Sequence, residues 1–293
     1  MLGLAGLAIA TREAMRASDG VALPGPLPLL AATVLTLAGL ACTARAWVVL
    51  IGPPADERLL RRSFYASQLV KYLPAGGAVQ AAGQVSMAAT LGIPLGTVSV
   101  ALAVLMACTV ASGAAVGSLL ALVEGLPWWV RVASLAGLAA PALVRHSTLA
   151  LGLRAARRVV RRVPAADSLP PPDAVRRAMG WCVANHLLFA VGFAVLLRAT
   201  DAEVSPLSAA VPYTVAWVAG FLVVPLPSGL GIREAVLLAL VPSASTAAIL
   251  AASVAQRVAN IVAEVIAVVG NRVGPSARRP AGRDPGDSMG PQE

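Results

Sequence analysis

Apolar runs approaching the roughly 20 residues that a helix needs to cross a bilayer recur along this chain. They cover 29–51, 94–123, 128–144, 175–197, 205–224 and 246–269. With 58% hydrophobic and 13% charged residues and a mean hydropathy of +0.78, the chain has more apolar surface than a soluble core could hide. The pattern predicts an all-α, polytopic transmembrane helix bundle with about six or seven spanning helices and one or two broken or re-entrant helices.

Two proline–glycine loops interrupt the hydrophobic stretches and bring charge with them. The first reads Lys71-Tyr72-Leu73-Pro74-Ala75-Gly76-Gly77, and the second Pro225-Leu226-Pro227-Ser228-Gly229-Leu230-Gly231-Ile232-Arg233-Glu234. Pro74, Gly76, Gly77, Pro227, Gly229 and Gly231 are the expected loop formers. Broken backbone at membrane depth survives only where it is buried in protein or lines a wet cavity, and paired interruptions in two halves of a chain point to a transport site. Segment 63–93 reads as two short helices broken at 74–77. Segment 231–241 reads as a half-helix stopped by Pro242-Ser243.

The formal charge of +9 could suggest a nucleic-acid partner, but the arginines lie beside the apolar runs, at 58–62 and 154–177. That is where topology signals facing anionic headgroups belong, so no nucleic acid is expected. Residues 56–62 read as a polar connector, and Arg45-Ala46-Trp47 closes a span near one interface. In 146–163, Leu149, Leu153, Ala156, Val160 and Val163 repeat at helical spacing, opposite Arg154, Arg157, Arg158, Arg161 and Arg162. This is a basic amphipathic helix that lies in the interface or extends a span into the cytosol.

The transmembrane domain is expected over 1–269, with halves 1–163 and 174–269 joined by a Pro-rich cytosolic link. The polar tail 270–293 is expected to be disordered and cytosolic. The predicted location is the plasma membrane, multi-pass, with the Arg-rich 145–177 link inside. The first apolar run ends near Ala10 and is too short to span alone, so either the start lies upstream or this helix enters partway.

Cys42, Cys108 and Cys182 are widely spaced in apolar segments, with no CxxC or Cys/His grouping. They read as buried thiols rather than a metal site or a disulfide framework. No P-loop, HExxH or GxSxG is present. Neither cofactor nor metal is expected, no catalytic residue is assigned, and ATP-driven transport by this chain alone is not expected.

The lone lysine, Lys71, sits with Tyr72 before the first break, and Gln80 and Gln84 share a helix face after it. Either Lys71 beside the following helix start cradles phosphate, or it snorkels while the glutamines tie helices together. Arg233 and Glu234 begin the half-helix. Glu234 suits the positive end of the helix dipole, and the fork of Arg233 suits phosphate oxygens. Gln256, Asn260 and Glu264 recur at i, i+4, i+8 with Arg257 at the edge of the stripe. This face should look into the bundle, as an internal network in which Arg257 or Arg233 neutralises Glu264, or as one wall of a polar path. Asn185 and His186 mid-span read as hydrogen-bonded structure before a proton relay.

The Lys71-Tyr72-Leu73-Pro74 segment with its glycines, the run from Pro227 to Glu234, Arg257 and the Arg45-Ala46-Trp47 helix end resemble the lysylphosphatidylglycerol synthase transmembrane-region (flippase-like) family. The likeness covers the chain to about Gly270. Ala75 and Ser228 stand where that family usually carries glycine. The resemblance implies the flippase-like half alone, without the aminoacyltransferase domain that some members add. It implies a lipid translocase or lipid-binding membrane protein whose partners are membrane lipids with anionic or phosphate headgroups. The alternative is a membrane subunit or membrane-embedded enzyme of lipid-linked glycan or phospholipid modification, with a separately encoded glycosyltransferase or synthase as partner.

Overall fold

The computed structural model describes residues 23–72, 76–123, 128–159, 168–201, 203–222 and 231–272. Among these it is helical throughout, with ten α-helices, one 3-10 turn and no strand. The helices are α1 (Pro26–Ile51), α2 (Glu57–Gln68), α3 (Gly76–Ala89), α4 (Leu95–Val123) and α5 (Trp128–Leu143). They continue as α6 (His146–Val159), α7 (Pro172–Thr200), α8 (Pro206–Leu222), α9 (Ile232–Leu240) and α10 (Thr246–Arg272); the 3-10 turn Leu69–Tyr72 follows α2.

Local chemistry sets the ends. Proline opens α1 and α7, where its fixed φ suits the first turn and its missing N–H costs nothing. α1 stops at Gly52, whose φ of +68° is the left-handed conformation that glycine tolerates, and its N–H returns to the Val48 carbonyl at 2.9 Å. Residues 56–62, expected as a connector, are helical from Glu57. The Asp56 carboxylate caps the helix by accepting from the N–H groups of Arg58 (2.7 Å) and Leu59 (3.3 Å). Gly76 and Gly77 likewise belong to the first turn of α3 rather than to a loop. α10 runs past the expected end at 269 to Arg272, and the tail beyond it lies outside the described residues, as do Pro74, Pro227, Gly229 and the apolar run near Ala10.

Among the described residues four helices are long and apolar enough to cross a membrane: Pro26–Ile51, Leu95–Leu119, Pro172–Thr200 and Thr246–Asn271. α5 and α8 are apolar but shorter, at 16 and 17 residues. The burial pattern is that of a chain in lipid. α10 hides Gln256 and Glu264 inside while Val262, Val265, Ile266 and Val269 stand exposed on the other side. α7 buries Asn185 and His186 and exposes Leu187 and Val191. A helix dissolved in water would turn those faces the other way. The chain is therefore read as membrane-embedded.

α1 and α7 form the most extensive helix pair, and they run antiparallel. Gly39 lies against Phe189 and Asn185, and Gly192 lies against Ala32. A Cβ on Gly39 would come within 2.7 Å of the Phe189 ring, so the missing side chain is what lets the helices approach. Trp47, expected at an interface, is fully buried between them and their neighbours.

The apolar core divides in two. One cluster joins the second half of α1 to α2, α4, the start of α7 and the end of α10. The other joins the second half of α7 to α8, α9 and the first half of α10, with Ala32 of α1. On α1, Thr36 falls between the two clusters; on α7, Asn185 and His186 do so; on α10, Asn260 and Glu264 do so.

Candidate functional site

The polar side chains between the two apolar clusters form a layer across the bundle. On α10 the expected stripe faces inward: Gln256 is 1% exposed, Glu264 3% and Ser253 7%. Gln256 Nε2 donates to Thr36 Oγ1 at 3.0 Å and to Asn260 Oδ1 at 2.8 Å, which ties α10 to α1. The Thr36 hydroxyl donates in turn to Asn260 Oδ1 at 3.4 Å. Tyr213 of α8 brings its buried phenol to the same place, close to Asn260 and within the field of Arg233, Arg257 and Glu234.

α9 supplies the charge. Glu234 reaches back to its own helix start, where Oε2 accepts from the Gly231 N–H at 2.9 Å. Gly231 holds a φ of +83°, which fits glycine at this junction. The second oxygen, Oε1, meets Arg257 Nη2 at 2.6 Å, and both side chains are more than four-fifths buried. The carboxylate that Arg257 grips at this distance is Glu234. Arg233 lies over the Trp217 ring, 5.7 Å from its centroid. Gly220 makes room for it, since a Cβ there would stand 2.8 Å from Arg233 Cγ.

Trp217 carries the layer onward. It stacks on Phe221 at 5.2 Å and meets the His186 ring edge-on at 4.9 Å. His186 Nε2 lies 2.8 Å from the Thr109 carbonyl of α4, so that nitrogen carries the hydrogen and donates. Ser112 Oγ donates to the same carbonyl at 3.0 Å. Gly113 lets the ring in, because a Cβ there would fall 2.9 Å from His186 Nε2. The structural role expected for His186 accounts for all of this geometry.

The helices that follow the two breaks have different neighbours. α3, with Gln80 and Gln84, packs on α2, the 3-10 turn and α4, whereas α9 packs on α8 and α10. The element common to both breaks is α10, which touches the 3-10 turn as well as α9. Gln80 is half-buried; Gln84 is 3% exposed and its Nε2 has no hydrogen-bond partner among the described residues. Lys71 and Tyr72 occupy the 3-10 turn, and their side chains lie outside the described residues. Among the described residues no three His, Cys, Asp or Glu side chains gather as a metal would require.

Thr36, Thr109, Tyr213 and Trp217 belong to the layer without having been singled out by the sequence. Single polar or aromatic residues in apolar runs carry no periodic signal, so only their small neighbours (Gly39, Gly113, Gly220) hint at close contact. In surroundings of low polarity each hydrogen bond and ion pair of the layer is strengthened. Comparison with family models, with curated proteins and with solved structures finds no match for this chain.

Proposed function

We propose that this chain is a lipid translocase or lipid-binding integral membrane protein that handles lipids with charged or phosphate headgroups, of the flippase-like kind its motifs resemble. The observation that carries the reading is the buried polar layer, with the Arg257–Glu234 pair and Arg233 at the head of the short helix α9. Charges inside a membrane bundle are costly, and they are retained chiefly where a polar substrate or ion must pass. A half-helix start beside that layer is the arrangement used to present N–H groups and a dipole to an anionic group.

In this reading α5 and α8 complete the crossing set to about six spans, with the 3-10 turn and α3 as a re-entrant piece. The arginine-rich ends of α2, α6 and α7 face the cytosol of a plasma-membrane protein, following the bias of basic residues towards that side. A separately encoded glycosyltransferase or synthase remains the protein partner of this proposal.

Reconstitution in liposomes carrying labelled phosphatidylglycerol or a polyprenyl phosphate tests it. The chain should move the label across the bilayer faster than empty liposomes do, and Arg233→Gln should slow that movement. Rates equal to empty liposomes over both lipids would sink the translocation reading.

A further inference from the structure

A second polar feature lies away from the layer, at the end of the bundle where the arginines gather. Leu60 and Phe64 of α2, Leu149 and Leu153 of α6, and Val175 and Ala178 of α7 all pack into the first apolar cluster. Their helices therefore bring Arg58, Arg61 and Arg62, Arg154, Arg157 and Arg158, and Arg176 and Arg177 to the same end. Within this basic end, α2, α3 and the last turn of α10 enclose a cleft of about 500 Å³. That is the size of sites that hold small ligands.

The cleft has a mixed lining. Arg62, Ser86 and Thr90 contribute polar groups to it, and Leu59, Met87 and Val268 apolar ones. Arg62 Nε donates to the Asn271 carbonyl at 2.6 Å, which fixes the guanidinium at the rim against the negative end of α10. Ser86 Oγ and Thr90 Oγ1 donate to the carbonyls of Gly83 (3.1 Å) and Met87 (2.7 Å), so each oxygen is left to accept from a ligand hydroxyl. Tyr65 also lines the cleft; burial pushes its phenol up against the opposing pull of Arg61, so it stays a protonated donor. Leu59 and Met87 are 39% and 38% exposed, an apolar shelf left open beside a cation.

We propose that this cleft seats the phosphate-bearing headgroup of an anionic membrane lipid, with Arg62 at the phosphate and the first acyl carbons on Leu59, Met87 and Val268. A soluble phosphate would use the arginine alone and leave the apolar shelf bare. A zwitterionic lipid would set its own cation against the basic end, where juxtamembrane arginines favour anionic headgroups. The inference needs only that this end of the bundle meets a lipid surface, and it holds whether or not the chain moves lipid.

The test is lipid retention by the full chain, taken from phosphatidylcholine nanodiscs doped with phosphatidylglycerol and read by native mass spectrometry. Phosphatidylglycerol should be retained in preference to phosphatidylcholine, and Arg62→Gln should lower its retention roughly tenfold. Because Arg62 also holds the end of α10, Thr90→Trp supplies a second variant that fills the cleft and leaves the arginine in place; it should lose retention to the same degree. Equal retention of the two lipids, or undiminished retention by Thr90→Trp, overturns the proposal. Displacement of the lipid by an equal concentration of glycerol phosphate would show a site that reads phosphate alone, and overturns the lipid assignment. No transbilayer movement enters the measurement, so its failure is distinct from a failure of translocation.

Discussion

Arg257 and Glu234 meet at 2.6 Å inside the bundle, joining the middle of α10 to the first turn of α9. Glu234 is held from a second direction, by the Gly231 N–H.

Removing one partner of this pair should cost more than removing both. A buried charge left without its counter-ion costs about 3–5 kcal/mol, whereas replacing the pair by uncharged groups is often close to neutral. Glu234→Gln keeps an oxygen for the Gly231 N–H and removes only the charge. Thermal unfolding in detergent should therefore rank Arg257→Met and Glu234→Gln well below wild type, with the double variant above both. A double variant that loses the sum of the two single losses would show that the residues do not interact.

The Gln256 amide donates to two side chains, so Gln256→Leu leaves Thr36 and Asn260 without their shared donor. Hydrogen bonds between membrane helices average about 0.6 kcal/mol and reach about 1.7. A loss in that range is expected from chemical unfolding in mixed micelles. Thr36→Val in the Gln256→Leu background should then add little, since its principal donor is already gone.

Gly113→Ala puts a methyl group 2.9 Å from His186 Nε2 and 2.7 Å from Val218 Cγ2. Overpacking of this kind typically costs about 1–3 kcal/mol. Here it should also displace His186 from the Thr109 carbonyl and from the Trp217 edge, and so change the tryptophan fluorescence. Gly180→Ala, where a Cβ meets nothing within 4 Å, is the control and should leave both stability and fluorescence near wild type.

Cysteine chemistry reports on the same packing. Cys108 and Cys182 are 0% and 1% exposed, while Cys42 is half-buried. A membrane-permeant maleimide should modify Cys42 alone in the folded protein and all three after unfolding. Equal labelling rates in the folded state would contradict the packing of α4 against α7.

What the sequence determined by itself was the set of features that repeat. Runs of apolar residues mark the long helices, because crossing lipid demands an unbroken stretch of internally bonded backbone. The i, i+4, i+8 spacing of Gln256, Asn260 and Glu264 was enough to place one polar face inward, since lipid cannot satisfy those groups. Glycine at 231 and glutamate at 234 announced a helix start, and Asp56, taken for part of a connector, proved to announce another. The tertiary structure alone decided which groups meet. That Glu234 is a partner of Arg257 depends on where a half-helix lands against α10, and no periodicity encodes that. Thr36, Tyr213, Trp217 and Thr109 enter the layer because α1, α8 and α4 pack at those heights, and glycines at 39, 113 and 220 allow the approach. Local spacing fixes the faces of a helix, but the contacts between faces come from long-range packing of small residues, where a single methyl group changes who touches whom.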